Sequence, residues 1–232
     1  MYILEGNIGA GKSTLLNLLG TEIPNISVLQ EPAHKWYNTD NGLSLLNLFY
    51  QQPDRWAFTI ETLAMISRVK DHTNEQKKKN QIIVMERSIY SGYYCFAKNG
   101  HVNGFMTDIE WSIHNQWFDF LITNKCQIPD GFIYIQTDPE IAFERIKKRN
   151  RDAEQSISQK YINQIHDFHE QFLIEKKEVS AQLKSVPVLI LDGNHEFETD
   201  SAQLKKYISS INQFLRETYN LPAAPGKNKE LQ

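Results

Sequence analysis

Gly6-Asn7-Ile8-Gly9-Ala10-Gly11-Lys12-Ser13 reads as G-x-x-x-x-G-K-[ST], and its surroundings decide the fold. The apolar run Tyr2–Glu5 precedes it, and a helical stretch predicted over Ser13–Gly20 follows. A strand, a glycine-rich loop and a helix in that order let backbone N–H groups converge on phosphate oxygens at the positive end of the helix. Gly6, Asn7, Ile8, Gly9, Ala10, Gly11, Lys12, Ser13 and the next residue, Thr14, are the expected triphosphate cradle. Lys12 is placed to reach the β- and γ-phosphates, and the Ser13 hydroxyl to meet Mg²⁺.

Outward from the loop, short apolar runs alternate with helical patterns. Further strands are expected at Ile26–Gln30, Gln81–Met85, Phe132–Gln136 and Val188–Leu191. Helical spacing joins Ile109, Ile113, Trp117 and Leu121, behind a capping box of Thr107 with Glu110. Asp138-Pro139-Glu140 reads as a helix start with Asp138 as the cap. Strands separated by long helical stretches imply crossover units. The expected fold is α/β: a doubly wound sheet of five parallel strands with helices on both faces. A single domain is expected over residues 1–220, with 221–232 a flexible tail in Pro-Ala-Ala-Pro-Gly-Lys composition.

The 232 residues carry 41% hydrophobic and 23% charged residues with a net charge of −3. That balance suits a folded domain and offers no global basic field for nucleic acid. No apolar run reaches membrane-spanning length, so no membrane partner is expected. Cys95 and Cys126 have no metal or redox spacing and read as free thiols. With no leader-like stretch at the start, the expected compartment is the cytoplasm.

Three other features separate the phosphate-loop classes. A GTPase needs Asn-Lys-x-Asp, but the nearest string, Asn124-Lys125-Cys126-Gln127, lacks the aspartate. A motor ATPase usually ends a strand in aspartate, whereas here Ile82-Ile83-Val84-Met85 runs into Glu86-Arg87-Ser88. A small kinase answers better. Glu31 stands at a strand end, where the ligand crevice of an open parallel sheet lies, and can accept a proton from an attacking hydroxyl. Glu86 offers a carboxylate to Mg²⁺ and Arg87 a guanidinium to developing charge. Arg145 to Arg151 places five cations in seven residues, which reads as a cationic lid over the transferring phosphoryl group.

Together these residues resemble the deoxyribonucleoside kinase family. The resemblance runs from Tyr2 to about Phe197, through Glu31-Pro32-x-x-x-Trp36, Tyr50-x-x-Pro53-x-Arg55-Trp56, Glu86-Arg87-Ser88-x-Tyr90-Ser91 and the arginine-rich lid ending in Glu154. It implies ATP-dependent phosphorylation of a deoxyribonucleoside 5′-hydroxyl, with Glu31 as general base and Arg87 beside it. It implies Tyr50 and Glu154 on the sugar 3′-hydroxyl, and Trp36 and Phe96 as aromatic walls around the base. Ser13 and Glu86 fall on the Mg²⁺ side, Arg145, Arg149 and Arg151 on the lid, and Phe197 in the loop beside the donor base. A homodimer through helices within Pro53–Lys70 and Thr107–Asn124 is also implied.

The sequence departs from that family at the base. Glu61 stands where the family commonly has glutamine, and Gly92 where it often has aspartate, while Arg68 matches. Arg68 is therefore expected to pair with Glu61, and Gly92 to leave room for a purine. The donor count favours guanine, whose N1–H and N2–H₂ suit a carboxylate; cytosine and thymine stay open. Two other readings remain: a kinase resembling thymidylate kinase, although Gln30 and Ala33-His34-Lys35 flank the Glu-Pro differently, and an inactive nucleotide-binding regulator. His166, His169 and Glu170 lack further ligand spacing and read as surface or packed side chains.

Overall fold

The computed structural model describes residues 1–32, 44–78 and 81–219. Trp36 and the tail at 221–232 lie outside them. Strands β1 (Tyr2–Gly6), β2 (Ile26–Leu29), β3 (Ile82–Glu86), β4 (Gly131–Gln136) and β5 (Val188–Asp192) form one parallel sheet in the order β2-β3-β1-β4-β5. The five expected strands are present, with ends shifted by a residue at most. The chain leaves β1 for one edge and later fills the other from β4. β1 is thus the switch point, and the crevice opens at its C-terminal end.

Alternation along β1 divides the core into two layers. Ile3 faces Met85, Phe132, Tyr90 and Phe172 on one side. Tyr2 and Leu4 face Leu15, Leu19, Ile133, Ile211 and Phe214 on the other. Helix α1 (Lys12–Glu22) follows the loop directly and buries Leu15, Leu16 and Leu19 completely. Each such leucine contributes about 1.5–3 kcal/mol, which seats the phosphate loop on the sheet.

Further α-helices among the described residues are α2 (Leu45–Gln51), α3 (Pro53–Glu75), α5 (Asp108–Asn124), α6 (Pro139–Arg149), α7 (Gln159–His169), α8 (Ala181–Lys184) and α9 (Ser201–Tyr219). Between α3 and α5, Ile89–Ser91, a π-helical Gly92–Ala97 and Lys98–Val102 form one helical run, α4. Pro53 opens α3 at a position that needs no N–H donor. The Thr107 box holds: Thr107 N donates to Glu110 Oε2 at 2.8 Å and Glu110 N to Thr107 Oγ1 at 3.3 Å. Asp138 does not cap α6 with its side chain. Its backbone N–H instead donates to Asn194 Oδ1 at 2.8 Å, tying the helix to the loop after β5.

On α5, Leu121 is buried with His114 and Phe118, but Ile109, Ile113 and Trp117 face outward. Phe120, and Leu63 and Ile66 of α3, are exposed as well, so these apolar side chains lie outside the core. Both cysteines are free and buried. His169 is a packed histidine, stacked on Tyr134 with Nδ1 at 2.7 Å from Ile165 O. Lys78, in the lysine run before β3, pairs with Glu75. Among the described residues no helix is long and apolar enough to cross a membrane.

Candidate active site

The C-terminal edge of the sheet holds a cleft of about 940 Å³, lined by the phosphate loop, the ends of β2 and β3, helices α2 and α3, and the segment after α6. It gathers Lys12, Ser13, Glu31, Tyr50, Glu61, Arg68, Glu86, Arg87, Phe96, Arg149, Arg151 and Glu154, from positions up to 142 residues apart.

The loop forms by local rules. Gly6, Gly9 and Gly11 all have positive φ. At Gly11, with φ +91°, a Cβ would also stand 2.8 Å from the Phe197 ring. Only glycine meets both demands. Asn7 anchors the loop from within: Nδ2 donates to Ile162 O at 2.9 Å and Oδ1 accepts from Ile8 N at 2.8 Å. Ala10 is fully buried, while Ile8 and Thr14 border the cleft. Lys12 is also buried, and Nζ donates to Asn7 O at 2.8 Å. Burial, reinforced by the charge of Arg87, lowers the Lys12 ammonium to about 7. A bound polyphosphate would reverse that direction by supplying the missing countercharge.

Ser13 Oγ donates to both oxygens of Glu86, at 2.9 and 3.1 Å. A hydroxyl and a carboxylate beside the loop are hard oxygen donors of the kind Mg²⁺ takes, so these residues fit that ion.

The acceptor end is a charge cluster. Arg68 Nε and Nη2 donate to Glu31 Oε1 at 2.9 and 2.6 Å, and Arg87 Nε lies 3.3 Å from Oε2. Burial alone would raise the Glu31 carboxyl, but the two guanidiniums outweigh it and hold it below the usual carboxylate range. Arg87 has left-handed backbone, φ +61°, and its N–H donates to Leu4 O at 2.9 Å. Its guanidinium lies 4.6 Å from the Phe96 ring centroid, and among the described residues Nη1 is buried without a hydrogen-bond partner.

Two expectations change here. The hydrogen-bonded partner of Arg68 is Glu31, not Glu61, because the long side chain runs to the strand ends. The room left by Gly92 is taken by the same guanidinium: a Cβ there would stand 2.4 Å from Arg68 Nη1. Gly92 therefore accommodates an arginine, not a purine.

The cation-rich segment divides. Arg149 grips Glu154 through Nε and Nη2 at 2.8–3.1 Å, and Arg151 lies 3.6 Å from the same carboxylate. Both border the cleft with Tyr50. Arg145 does not: Nη1 and Nη2 donate to Gly193 O and His195 O at 2.7 and 3.3 Å, tying α6 to the loop after β5. Phe197 is 4% exposed and packs between Gly11 and Tyr207, so it supports the loop from the core.

Two residues received no role from sequence. Glu5 is fully buried and accepts from Ser88 Oγ at 2.6 Å. Burial raises its carboxyl, against the pull of Arg87. A lone acid in the apolar run Tyr2-Ile3-Leu4-Glu5 was the available signal. Tyr161 of α7 lines the cleft and meets Tyr50 edge-on at 6.1 Å. Nothing in its amphipathic helix marked it.

A parallel sheet with a glycine-rich loop at its switch point, a buried lysine in that loop and a carboxylate–arginine cluster across a cleft defines a P-loop phosphotransferase. The family model for deoxynucleoside kinases matches residues 2–216. A probable deoxycytidine kinase of fowlpox virus is 36% identical over 93% of this chain and 88% of its own. Human deoxycytidine kinase is 33% identical over 90% of each chain. Human mitochondrial thymidine kinase 2 is 34% identical over 84% of this chain and 71% of its own. The chain belongs to the deoxynucleoside kinase family and is a kinase acting on deoxynucleosides. The names of these relatives differ in the base.

Proposed function

We propose that this cleft transfers the γ-phosphoryl group of ATP to the 5′-hydroxyl of a deoxyribonucleoside, with Glu31 as general base. The observation that carries this is the Glu31 carboxylate, held ionised by Arg68 and Arg87 in the cleft that the phosphate loop also lines, within the electrostatic reach of Lys12. A carboxylate has about four lone-pair sites, so two guanidiniums leave capacity for a hydroxyl proton. A depressed pKa makes Glu31 a weak base, which suits a loose transition state in which the nucleophile needs little deprotonation. Arg87 Nη1, which has no hydrogen-bond partner among the described residues, is available to the phosphoryl oxygens or the acceptor.

Gly6 to Thr14 cradle the donor phosphates, and Lys12 turns from Asn7 O to them. Ser13 and Glu86 would hold Mg²⁺, which neutralises phosphate charge when bound. Arg149 and Arg151 face the transferring group, while Tyr50 and Glu154 hold the sugar and Phe96 flanks the base. Arg145 and Phe197 act one step removed, shaping the donor side. Glu61 reads the base, and its acceptor character favours guanine.

A second copy of the chain is the proposed occupant of the apolar face formed by Leu63, Ile66, Ile109, Ile113, Trp117 and Phe120. Light scattering behind a sizing column checks it: twice the chain mass is expected, and a single-chain mass contradicts it. The two free buried thiols suit a reducing compartment, and the cytoplasm is proposed.

ADP formation from ATP and Mg²⁺ is measured with deoxyguanosine, deoxyadenosine, deoxycytidine and thymidine, and with thymidine monophosphate as a control. Nucleoside-dependent turnover is expected. Turnover with the monophosphate alone would assign a nucleotide acceptor, and silence with all five would leave a nucleotide-binding regulator.

A further inference from the structure

Glu61 is 8% exposed and borders the cleft, yet among the described residues its carboxylate makes no ion pair within 4 Å. Both nearby guanidiniums, Arg68 and Arg87, are directed at Glu31. Glu61 and Arg68 lie two turns apart on one face of α3, which separates their Cα atoms by about 10 Å. One helix thus carries the arginine that holds Glu31 and, two turns away, a buried carboxylate that borders the same cleft. With the 5′-oxygen at Glu31, that carboxylate is the one left to meet the base edge.

The groups facing Glu61 come from every side of the cleft. Arg68 shares its helix, Glu31 and Arg87 come from the strand ends, and Tyr50 and Tyr161 from α2 and α7. Glu154, held by Arg149, lines the same cleft. On α5, His114 lies near the Glu61 backbone; burial lowers its imidazole to about 4, so it is neutral near pH 7.

We propose that Glu61 is a specificity-determining residue that reads the base in two protonation states, so that the preferred nucleoside changes with pH. This rests on the deoxynucleoside kinase reading above. With its proton, Glu61 offers one donor and one acceptor, as an amide does. Without it, Glu61 offers acceptors only. The first state suits an edge with a donor beside an acceptor, such as cytosine N4–H₂ and N3. The second suits the adjacent donors N1–H and N2–H₂ of guanine. The balance is poised near neutrality: burial raises the carboxyl, Arg68 lowers it, Glu31 raises it and Arg87 lowers it, to about 7.

The test is kcat/KM for deoxyguanosine divided by that for deoxycytidine, from about pH 5.5 to 8.5, a window around the Glu61 transition. Taking the ratio cancels the titrations of the shared machinery, and neither base titrates in this range. The ratio is expected to rise about tenfold with pH in the wild-type protein, the lower end of the discrimination a paired base contact gives. It is expected to be flat in Glu61→Gln. A flat wild-type ratio, or a slope that survives in Glu61→Gln, overturns the proposal. Absence of turnover with every nucleoside overturns the underlying reading instead. Calorimetry on the wild-type protein gives a second readout: near pH 7, in two buffers of different ionisation heat, deoxyguanosine should release more protons than deoxycytidine. Equal release overturns the proposal even if the variant fails to fold.

Discussion

The phosphate loop and the acceptor end of the cleft share one edge of the sheet but are built in opposite ways. The loop is one run, Gly6 to Ser13, shaped by local backbone preferences and seated by the buried leucines of α1. The acceptor end collects Glu31, Arg68, Arg87 and Glu61 from two strand ends and one helix, and holds them by charge where little water reaches. A local motif defines its own shape. In a buried charge cluster each group depends on its partners, and losing one leaves another uncompensated.

That contrast predicts the largest losses at the acceptor end. Arg87→Lys keeps the charge but loses the planar fork and the stack on Phe96. It should lower kcat by about 10²–10³, the scale for removing one preorganised transition-state donor. A fall of less than tenfold would show that the cluster tolerates a point charge.

The two carboxylates should also affect stability in opposite directions. Glu31 is lowered, so its contribution is present above the ordinary carboxylate pKa and is lost as pH falls through the folded value. Glu61 is raised to about 7, so the native state loses stability as pH rises from the ordinary value through that point. Glu61→Gln removes the second loss, of order 1–3 kcal/mol. Its Tm advantage over wild type should grow between about pH 5 and pH 8. An advantage that shrinks would contradict the assignment.

Gly92→Ala places a methyl group against Arg68 Nη1. Overpacking there should cost about 1–3 kcal/mol in urea unfolding. The acid limb of the rate profile should also move up as the hold on Glu31 loosens. Arg145→Met, on the donor side, removes two hydrogen bonds to the loop after β5 and no cleft contact. It should raise KM for ATP several-fold, on the scale of about 1 kcal/mol. The nucleoside KM should stay unchanged, and a shift there would mean that the two ends are coupled.

The same contrast explains what was legible in the sequence. The loop, the five strands and the Thr107 cap follow from contiguous patterns, and the structure places them within a residue. Glu31 and Glu86-Arg87 were legible because strand ends line the crevice. The partner of Arg68 was not: helix phasing put Glu61 on the same face, but the reach of the side chain and the gap at Gly92 direct the guanidinium to Glu31. Arg145 looked like its neighbours in a run of cations, and only tertiary contact with Gly193 and His195 separates it from Arg149 and Arg151. The apolar stripe of α5 had helical period, but period does not say which side of a helix meets the core.

Phosphoryl transfer in this cleft depends most directly on Glu31. Single-turnover formation of the nucleoside 5′-monophosphate, with ATP, Mg²⁺ and nucleoside saturating, should slow by about 10²–10⁴ in Glu31→Gln, the range for loss of a general base. Nucleoside affinity should stay within a few-fold, and the wild-type rate should fall only when pH drops below the usual carboxylate range. A variant that turns over at close to the wild-type rate would show that the acceptor hydroxyl gives up its proton elsewhere.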